Sequence, residues 1–437
     1  MDSYKIQREQ IREPRWRALA AAIGGENGEE IVDAMKELYE VYTPDAIDWF
    51  ASLYDVSGAG WYYSASARDN DSREYKGKTY LLRPDLESTS QALGFFESSG
   101  MIEDFDNKLS LALPDWMQND LSEWTLSLQD PDGYFYHEHW GKDINFSRRS
   151  RDLMWANKIL NSFGRTKKYV SISDGAKAKE SKDIVLPEHL KSKEKFAEFL
   201  ESRNINEQSY STGHELTCQT DMIKHAGLVD QCIDFLNEHQ FENGLWHKEE
   251  NYFAINGVMK ITCVYNGMHR IVPHAKALAG SCIRVLLSDE PVNGAVDLFN
   301  PWFAIGNLIR SLRECGENGE REAEEVIRTV RAAAPEAIRA TAKKVVAFKK
   351  ESGSFSYGVN FSSQTSQGMP VAIERSPEGD INGHILAATG LLSHVYRGLD
   401  LSDYKVPLFV RCDFDRYMSI IEKRRLTEKT TERSISE

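Results

Sequence analysis

The densest run of chemistry-bearing side chains lies between Tyr134 and Trp140, where Tyr134, Tyr136, His137, His139 and Trp140 follow Gln129-Asp130-Pro131-Asp132-Gly133. Two imidazoles among large rings in a connection are poor core filling, and such groups bind a ligand or move a proton. Just beyond come Arg148, Arg149, Arg151 and Asp152. Further polar groups stand at the starts of apolar stretches: Arg83, Asp85 and Glu87; His214 and Glu215; Asn256 and Lys260; Asn300 and Trp302; Glu378, Asp380, Asn382 and His384. The candidate catalytic groups are His137, His139, Arg151, Asp152, His214, Glu215, Asp380 and His384. Tyr134, Tyr136, Trp140, Arg148, Trp246, His247, Asn300 and Trp302 are the candidate substrate contacts. Asp85, Asp152 and Asp380 have a plainer reading as helix caps, since a carboxylate is stabilised at a helix N-terminus.

Aromatic rings with polar tips, set among arginines, histidines and carboxylates, suit a ligand with flat apolar faces and a rim of hydroxyls or carboxylates. That describes a sugar. Hydrolysis of a glycosidic bond needs two carboxyl groups ~5 Å or ~6.5–9.5 Å apart, for which Asp152, Glu215 and Asp380 are the acids. Elimination from a uronic acid needs a group that neutralises the carboxylate and a base, and the arginines beside His137 and His139 fit that chemistry.

These residues are carried by paired helices. Pro131 and Gly133 stop an amphipathic run that begins near Leu113, and a second run starts at Ser150. The order recurs: a charged helix, a glycine turn with aromatics, then a helix apolar on nearly every side. The turns share a form in Gly60-Trp61-Tyr62-Tyr63, Gly133-Tyr134-Phe135-Tyr136, Gly244-Leu245-Trp246-His247 and Gly353-Ser354-Phe355-Ser356. Six pairs are legible, with second helices near 85–100, 150–164, 212–227, 256–268, 299–315 and 380–396. A helix apolar all round is buried all round, so six wet and six dry helices predict two concentric rings, an all-α (α/α)6 toroid. Its bounds are 44–400, with an N-terminal helical extension over 1–43 and a C-terminal helix with a frayed tail over 401–437. The first helix of the sixth pair, within 320–351, is expected to break at Pro335. The segment around 167–190 reads as a surface loop, and the stretch before Asp85 as a polar loop.

The net charge of −14 over 437 residues argues against a nucleic-acid surface. No window approaches the ~18 apolar residues of a membrane span and the charged start lacks a signal-peptide core, so the expectation is a cytoplasmic protein without membrane contact. Six cysteines without short paired spacing read as reduced, packed thiols. No metal and no cofactor are expected, and oligomeric state is not legible.

The stretch Ser127-Leu128-Gln129-Asp130-Pro131-Asp132-Gly133-Tyr134-Phe135, and Gly379-Asp380-Ile381-Asn382-Gly383-His384 running into Thr389-Gly390-Leu391-Leu392, resemble the α/α toroid of the terpenoid cyclase and protein prenyltransferase superfamily. The resemblance covers residues 44–398 as architecture, and the same double ring serves polysaccharide lyases and glycoside hydrolases. The departures are informative. There is no Asp-x-Asp-Asp run of the kind that protonates a squalene-type substrate, and no aspartate and cysteine two residues apart for the prenyltransferase zinc site; Asp380 and His384 are four apart but lack a third ligand. The sequence therefore points to an enzyme cleaving glycosidic bonds of an oligosaccharide in the central cavity, by hydrolysis or uronate elimination. The alternatives are a prenyl- or terpenoid-handling enzyme and a noncatalytic ligand-binding toroid.

Overall fold

The computed structural model describes residues 3–174, 185–314, 316–373 and 375–436, so part of the 167–190 segment and Cys315 lie outside the described residues. The chain is predominantly helical. In order the helices are α1 (Ser3–Ile23), α2 (Gly25–Tyr39), α3 (Ala46–Ser52), α4 (Ala65–Arg68), α5 (Leu86–Ser99), α6 (Leu109–Ala112), α7 (Asp115–Ser127), α8 (Phe146–Ser162), α9 (Lys193–Glu201), α10 (Ser209–Ala226), α11 (Val229–Glu238), α12 (Tyr252–Met268), α13 (Ala275–Leu287), α14 (Val296–Arg313), α15 (Gly316–Val345), α16 (Ile381–Ala387), α17 (Thr389–Gly398) and α18 (Arg411–Ser436).

The second helices of the six pairs contact one another in a closed cycle. α5 packs on α8, α8 on α10, α10 on α12, α12 on α14, α14 on α17, and α16 and α17 return to α5. Close approach follows from small residues: a Cβ on Gly213 of α10 would sit 2.9 Å from the Lys260 Cβ of α12, and one on Gly257 would collide with Ser209. The first helices lie outside this cycle, α15 against α13 and α14, with α2 laid on α15 and α18 on α3. Between the two sets runs the apolar core. At its N-terminal side Phe50, Phe95, Phe96, Trp61 and Tyr417 interlock, with Phe50–Phe95 centroids 4.6 Å apart and Phe96–Tyr417 4.9 Å.

Three of the four glycine turns prove identical in hydrogen bonding. Asp130, Phe241 and Lys350 each donate their N–H to the carbonyl four residues on and accept from the glycine three residues on. Gly133, Gly244 and Gly353 all adopt positive φ there (85°, 80° and 75°). At Gly133 a side chain is excluded twice over, because a Cβ would lie 2.2 Å from the Val170 carbonyl oxygen. The turn at Gly60 differs, with Asp55 donating to Gly60. The aromatics that follow drive Trp61, Phe135, Trp246 and Phe355 into the core, all fully buried.

Two expectations are corrected. α15 passes through Pro335 unbroken, because the carbonyl that Pro335 cannot satisfy, that of Arg331, accepts from the Asn27 amide of α2 at 3.2 Å. The polar stretch before Asp85 contains a two-stranded hairpin, Ser72–Tyr75 with Lys78–Leu81, closed by Lys76 and Gly77 at φ 50° and 75°. A smaller ribbon, Thr365–Ser366 with Met369–Pro370, lies beside it. Arg73 joins them by donating to the Gln364 carbonyl at 2.9 Å and to that of Ala372. With the 134–145 connection they form a second apolar cluster of Tyr63, Ala67, Trp140, Met369, Val371 and Ala372.

Candidate active site

Caps set the polar ends of the inner helices. Asp85 accepts from the N–H groups of Glu87 and Ser88, Asn145 from Arg148, Asn251 from Ala254 and Asp380 from Gly383. The caps fall where the long connections 54–85, 128–145 and 346–380 enter these helices, so the small ribbons and the aromatic connection cover the same end of the cycle. Along the inner helices a half-buried stripe recurs at one-turn or two-turn spacing: Gln91 and Gly94; Ser147 and Arg151; His214, Thr217 and Cys218; Asn256 and Cys263; Phe299 and Phe303; Asn382, Ile385 and Leu386. These positions are therefore less tightly packed than the rest of the inner helices. The stripe is polar or small on α5, α8, α10 and α12, apolar on α14 and mixed on α16.

Arg148 anchors the first group of side chains. It is fully buried and donates through Nε to Asp152 (2.9 Å), Nη1 to Glu87 (3.2 Å) and Nη2 to Asp85 (3.0 Å). Its guanidinium lies 4.5 Å from the Trp140 ring centroid and 5.2 Å from that of Trp155. Burial works against its charge, yet Asp152, Asp85 and Glu87 outweigh it and raise its pKa. One guanidinium cannot neutralise three carboxylates, so burial holds Asp152 well above the ordinary carboxylate range and Glu87 above it, with Arg148 opposing in both. The Ser366 hydroxyl also bonds Glu87, tying the small ribbon to the cluster. His137 stacks on Trp140 with centroids 4.3 Å apart, and its Nδ1 accepts from the His139 N–H at 3.2 Å. Burial takes its pKa down to about 4, so this imidazole is neutral.

The second group faces the axis. The Arg151 charge acts on Glu87 of α5, on Tyr210, His214 and Cys218 of α10 and on Lys260 and Cys263 of α12. Among the described residues neither Arg151 nor Lys260 has an ion pair. The Lys260 ammonium lies 5.7 Å from the Tyr210 ring centroid, and Tyr210 is parallel to His214 with centroids 6.0 Å apart. Burial, then Arg151, brings Lys260 down to about 7. Burial, then Lys260 and Arg151, brings His214 down to about 4. His214 Nε2 is 2.9 Å from the Ser147 hydroxyl, and its buried Nδ1 has no partner.

Asp380 forms a third group. It accepts from Gly383 at 2.7 Å and Tyr357 at 2.8 Å, while burial raises its pKa to about 7. Asn300 donates to Asn256 at 2.7 Å, which donates to Asp297 at 3.4 Å. Tyr357 feels Tyr210, Asp297, Asp380 and Glu87 together, so these groups share one end of the axis.

Of the candidates read from sequence, the structure brings together His137, Trp140, Arg148 and Asp152 in the buried cluster, Arg151 and His214 on the axis, and Asp380 and Asn300 beside them. The rest go elsewhere. Glu215 points outward to Arg203 at 3.1 Å. His384 is buried among Trp49, Phe95 and Phe355 with both ring nitrogens unpartnered. Trp246 and Trp302 are core residues, donating to the Leu236 carbonyl and the Thr341 hydroxyl. His247 is half-buried and accepts from the Glu249 N–H. His139 pairs with Glu138 at 2.9 Å on the surface. Tyr136 donates to Asp132 and Tyr134 lies under Arg149, both within the connection itself. Sequence reading left Tyr210, Tyr357 and Ser366 unmarked. Tyr210 follows Ser209 four residues before His214, and that helical spacing was the available signal.

Among the described residues no cluster of three or more His, Cys, Asp or Glu is placed to hold a metal, and no helix is long and apolar enough to cross a membrane. A surface groove of about 660 Å³, lined by Leu200, Arg203, Asp234, Phe235 and His239, lies between α9 and α11 and contains none of the axial groups. No protein-family model, no curated protein and no solved structure matches this chain.

Proposed function

We propose that the chain is an (α/α)6 toroid, of the type shared by terpenoid cyclases and polysaccharide-cleaving enzymes, and that it cleaves an acidic oligosaccharide by elimination at the capped end of its axis. The observation that carries this reading is the axial cationic side chain Arg151, which lacks a carboxylate partner among the described residues of a chain with net charge −14. Every carboxylate of the buried cluster is bonded to Arg148, so the carboxylate Arg151 suits is the ligand's own.

Arg151 neutralises a uronate carboxylate and thereby acidifies the carbon beside it. The neutral His214 imidazole takes that proton. The electron pair left behind becomes the carbon–carbon double bond and expels the glycosidic oxygen, which takes a proton from the Tyr210 hydroxyl. Asn256, Asn300, Gln91 and Asn382 supply amides for ring hydroxyls. The half-buried Phe299 and Phe303 of α14 with Ile385 and Leu386 of α16 favour a second reading in which an apolar chain with an anionic head enters between the inner helices.

The test is a panel of uronate-containing and neutral oligosaccharides with a prenyl diphosphate alongside. Ultraviolet absorbance of an unsaturated uronate, from acidic substrates alone, is the expected result. New reducing ends without that absorbance overturn elimination in favour of hydrolysis through Glu87 and Asp152. Thermal stabilisation by the diphosphate with no sugar cleavage supports the second reading, and inertness toward all of them removes both.

A further inference from the structure

Three half-buried lysines elsewhere in this protein find acceptors. Lys344 donates to the Tyr252 hydroxyl (2.8 Å) and to the carbonyls of Leu286 (3.0 Å) and Ser288 (2.6 Å). Lys405 donates to the Ser98 carbonyl and to Ser393 Oγ (2.7 Å), and Lys349 to the Val41 carbonyl (2.6 Å). Lys260 is 6% exposed, yet among the described residues its side chain makes no hydrogen bond and no ion pair. Burial without a polar partner penalises the ammonium more than the free amine.

The surroundings favour the amine as well. Arg151 from α8 is a fixed positive neighbour, His214 from α10 is neutral, Cys218 and Cys263 are thiols whose pKa values burial raises, and Glu87 from α5 is engaged by Arg148 and Ser366. A lysine desolvated beside a second cation is an activated nucleophile toward carbonyl carbon. Arg151, whose charge acts on Lys260 and which pairs with no carboxylate among the described residues, selects a carbonyl compound that carries a carboxylate.

We propose that Lys260 is a nucleophilic amine that forms a reversible imine with a small 2-oxo acid whose carboxylate is held by Arg151. The amine nitrogen bonds to the carbonyl carbon, and the carbonyl oxygen departs as water carrying both amine hydrogens, so no oxidant or further reactant is required. The inference goes beyond cleavage of a glycosidic bond and does not depend on it.

The test is incubation of the full chain with pyruvate and cyanoborohydride at neutral pH, followed by digestion and mass mapping of the reduced adduct. Lys260 is expected to carry at least about tenfold more adduct than any other lysine, given its activation. Arg151→Gln is expected to lower adduct formation from pyruvate about tenfold more than that from the uncharged propionaldehyde, because both lose the cation that favours the amine and only pyruvate also loses a charge-assisted contact to its carboxylate. Adduct spread over exposed lysines with Lys260 unmodified overturns the proposal, and so does an equal effect of Arg151→Gln on both carbonyl compounds. The assay contains no oligosaccharide, so its failure is distinct from failure of the elimination reading.

Discussion

Arg148 Nη2 lies 3.0 Å from Asp85 Oδ1, so the residue that caps α5 is also held by a guanidinium from α8. The same guanidinium holds Glu87 and Asp152 and stacks on Trp140, which belongs to the aromatic connection. One buried side chain thus fixes two inner helices and the cover above them. Arg148→Met is expected to cost ~3–5 kcal/mol of unfolding free energy, because it strands three buried carboxylates. Adding Asp85→Asn and Asp152→Asn should recover part of that loss in denaturant titrations. A fully additive triple variant would show that Arg148 acts by something other than charge compensation.

Arg151 stands three residues further along α8 and differs in kind, having no carboxylate to hold among the described residues. Arg151→Gln should therefore change stability by no more than ~0.5 kcal/mol while lowering turnover of an acidic substrate at least ~100-fold. Glu215→Gln, on the outward face against Arg203, should leave turnover unchanged. Equal losses in both variants would remove the axial assignment.

How much of this was legible in the sequence depends on what each residue answers to. Helix pairing was legible because it is periodic: the apolar second helices and the glycine turns are local patterns, and three of those turns repeat down to their hydrogen bonds. The polar helix starts at Arg148, Arg151, Asp152, His214 and Asp380 were legible because caps and arginines interrupt apolar runs. Direction was not. His384 and Asp380 sit on one short helix, yet one enters an aromatic core and the other accepts two backbone N–H groups. The environment of His384 is set by partners as distant in sequence as Trp49 and Phe95. The unbroken α15 is the same lesson, since Pro335 was visible and Asn27 was not recognisable as its remedy.

That remedy is measurable. Asn27 offers its amide to the Arg331 carbonyl that Pro335 leaves without a helical donor. Asn27→Ala should cost ~1 kcal/mol in the native chain, the net worth of one hydrogen bond. In a Pro335→Ala background the restored N–H satisfies that carbonyl, and the cost of Asn27→Ala should shrink toward zero. A cycle with no coupling would mean that the Arg331 carbonyl does not depend on Asn27.

His384 gives the clearest dependence on pH. It is 1% exposed, packs 5.1 Å from Trp49 and 5.3 Å from Phe95 between ring centroids, and has no partner at either nitrogen. Burial lowers its pKa from 6.5 to about 3. Between those values the unfolded chain binds the proton and the folded chain does not, so stability falls as pH drops from 6.5 toward 3; at pH 5 the loss is ~2 kcal/mol. His384→Phe fills the same aromatic site without a titrating group. It should flatten that limb and leave the variant more stable than the native chain at pH 5, with the difference shrinking as pH rises to 7. His137 and His214 retain their own acid limbs in the variant, since both are also held neutral by burial. Catalysis should be unaffected, because nothing on the axis touches this ring. An unchanged pH profile in urea titrations would mean that His384 finds a proton partner in the folded chain, and lost turnover would return it to the active site.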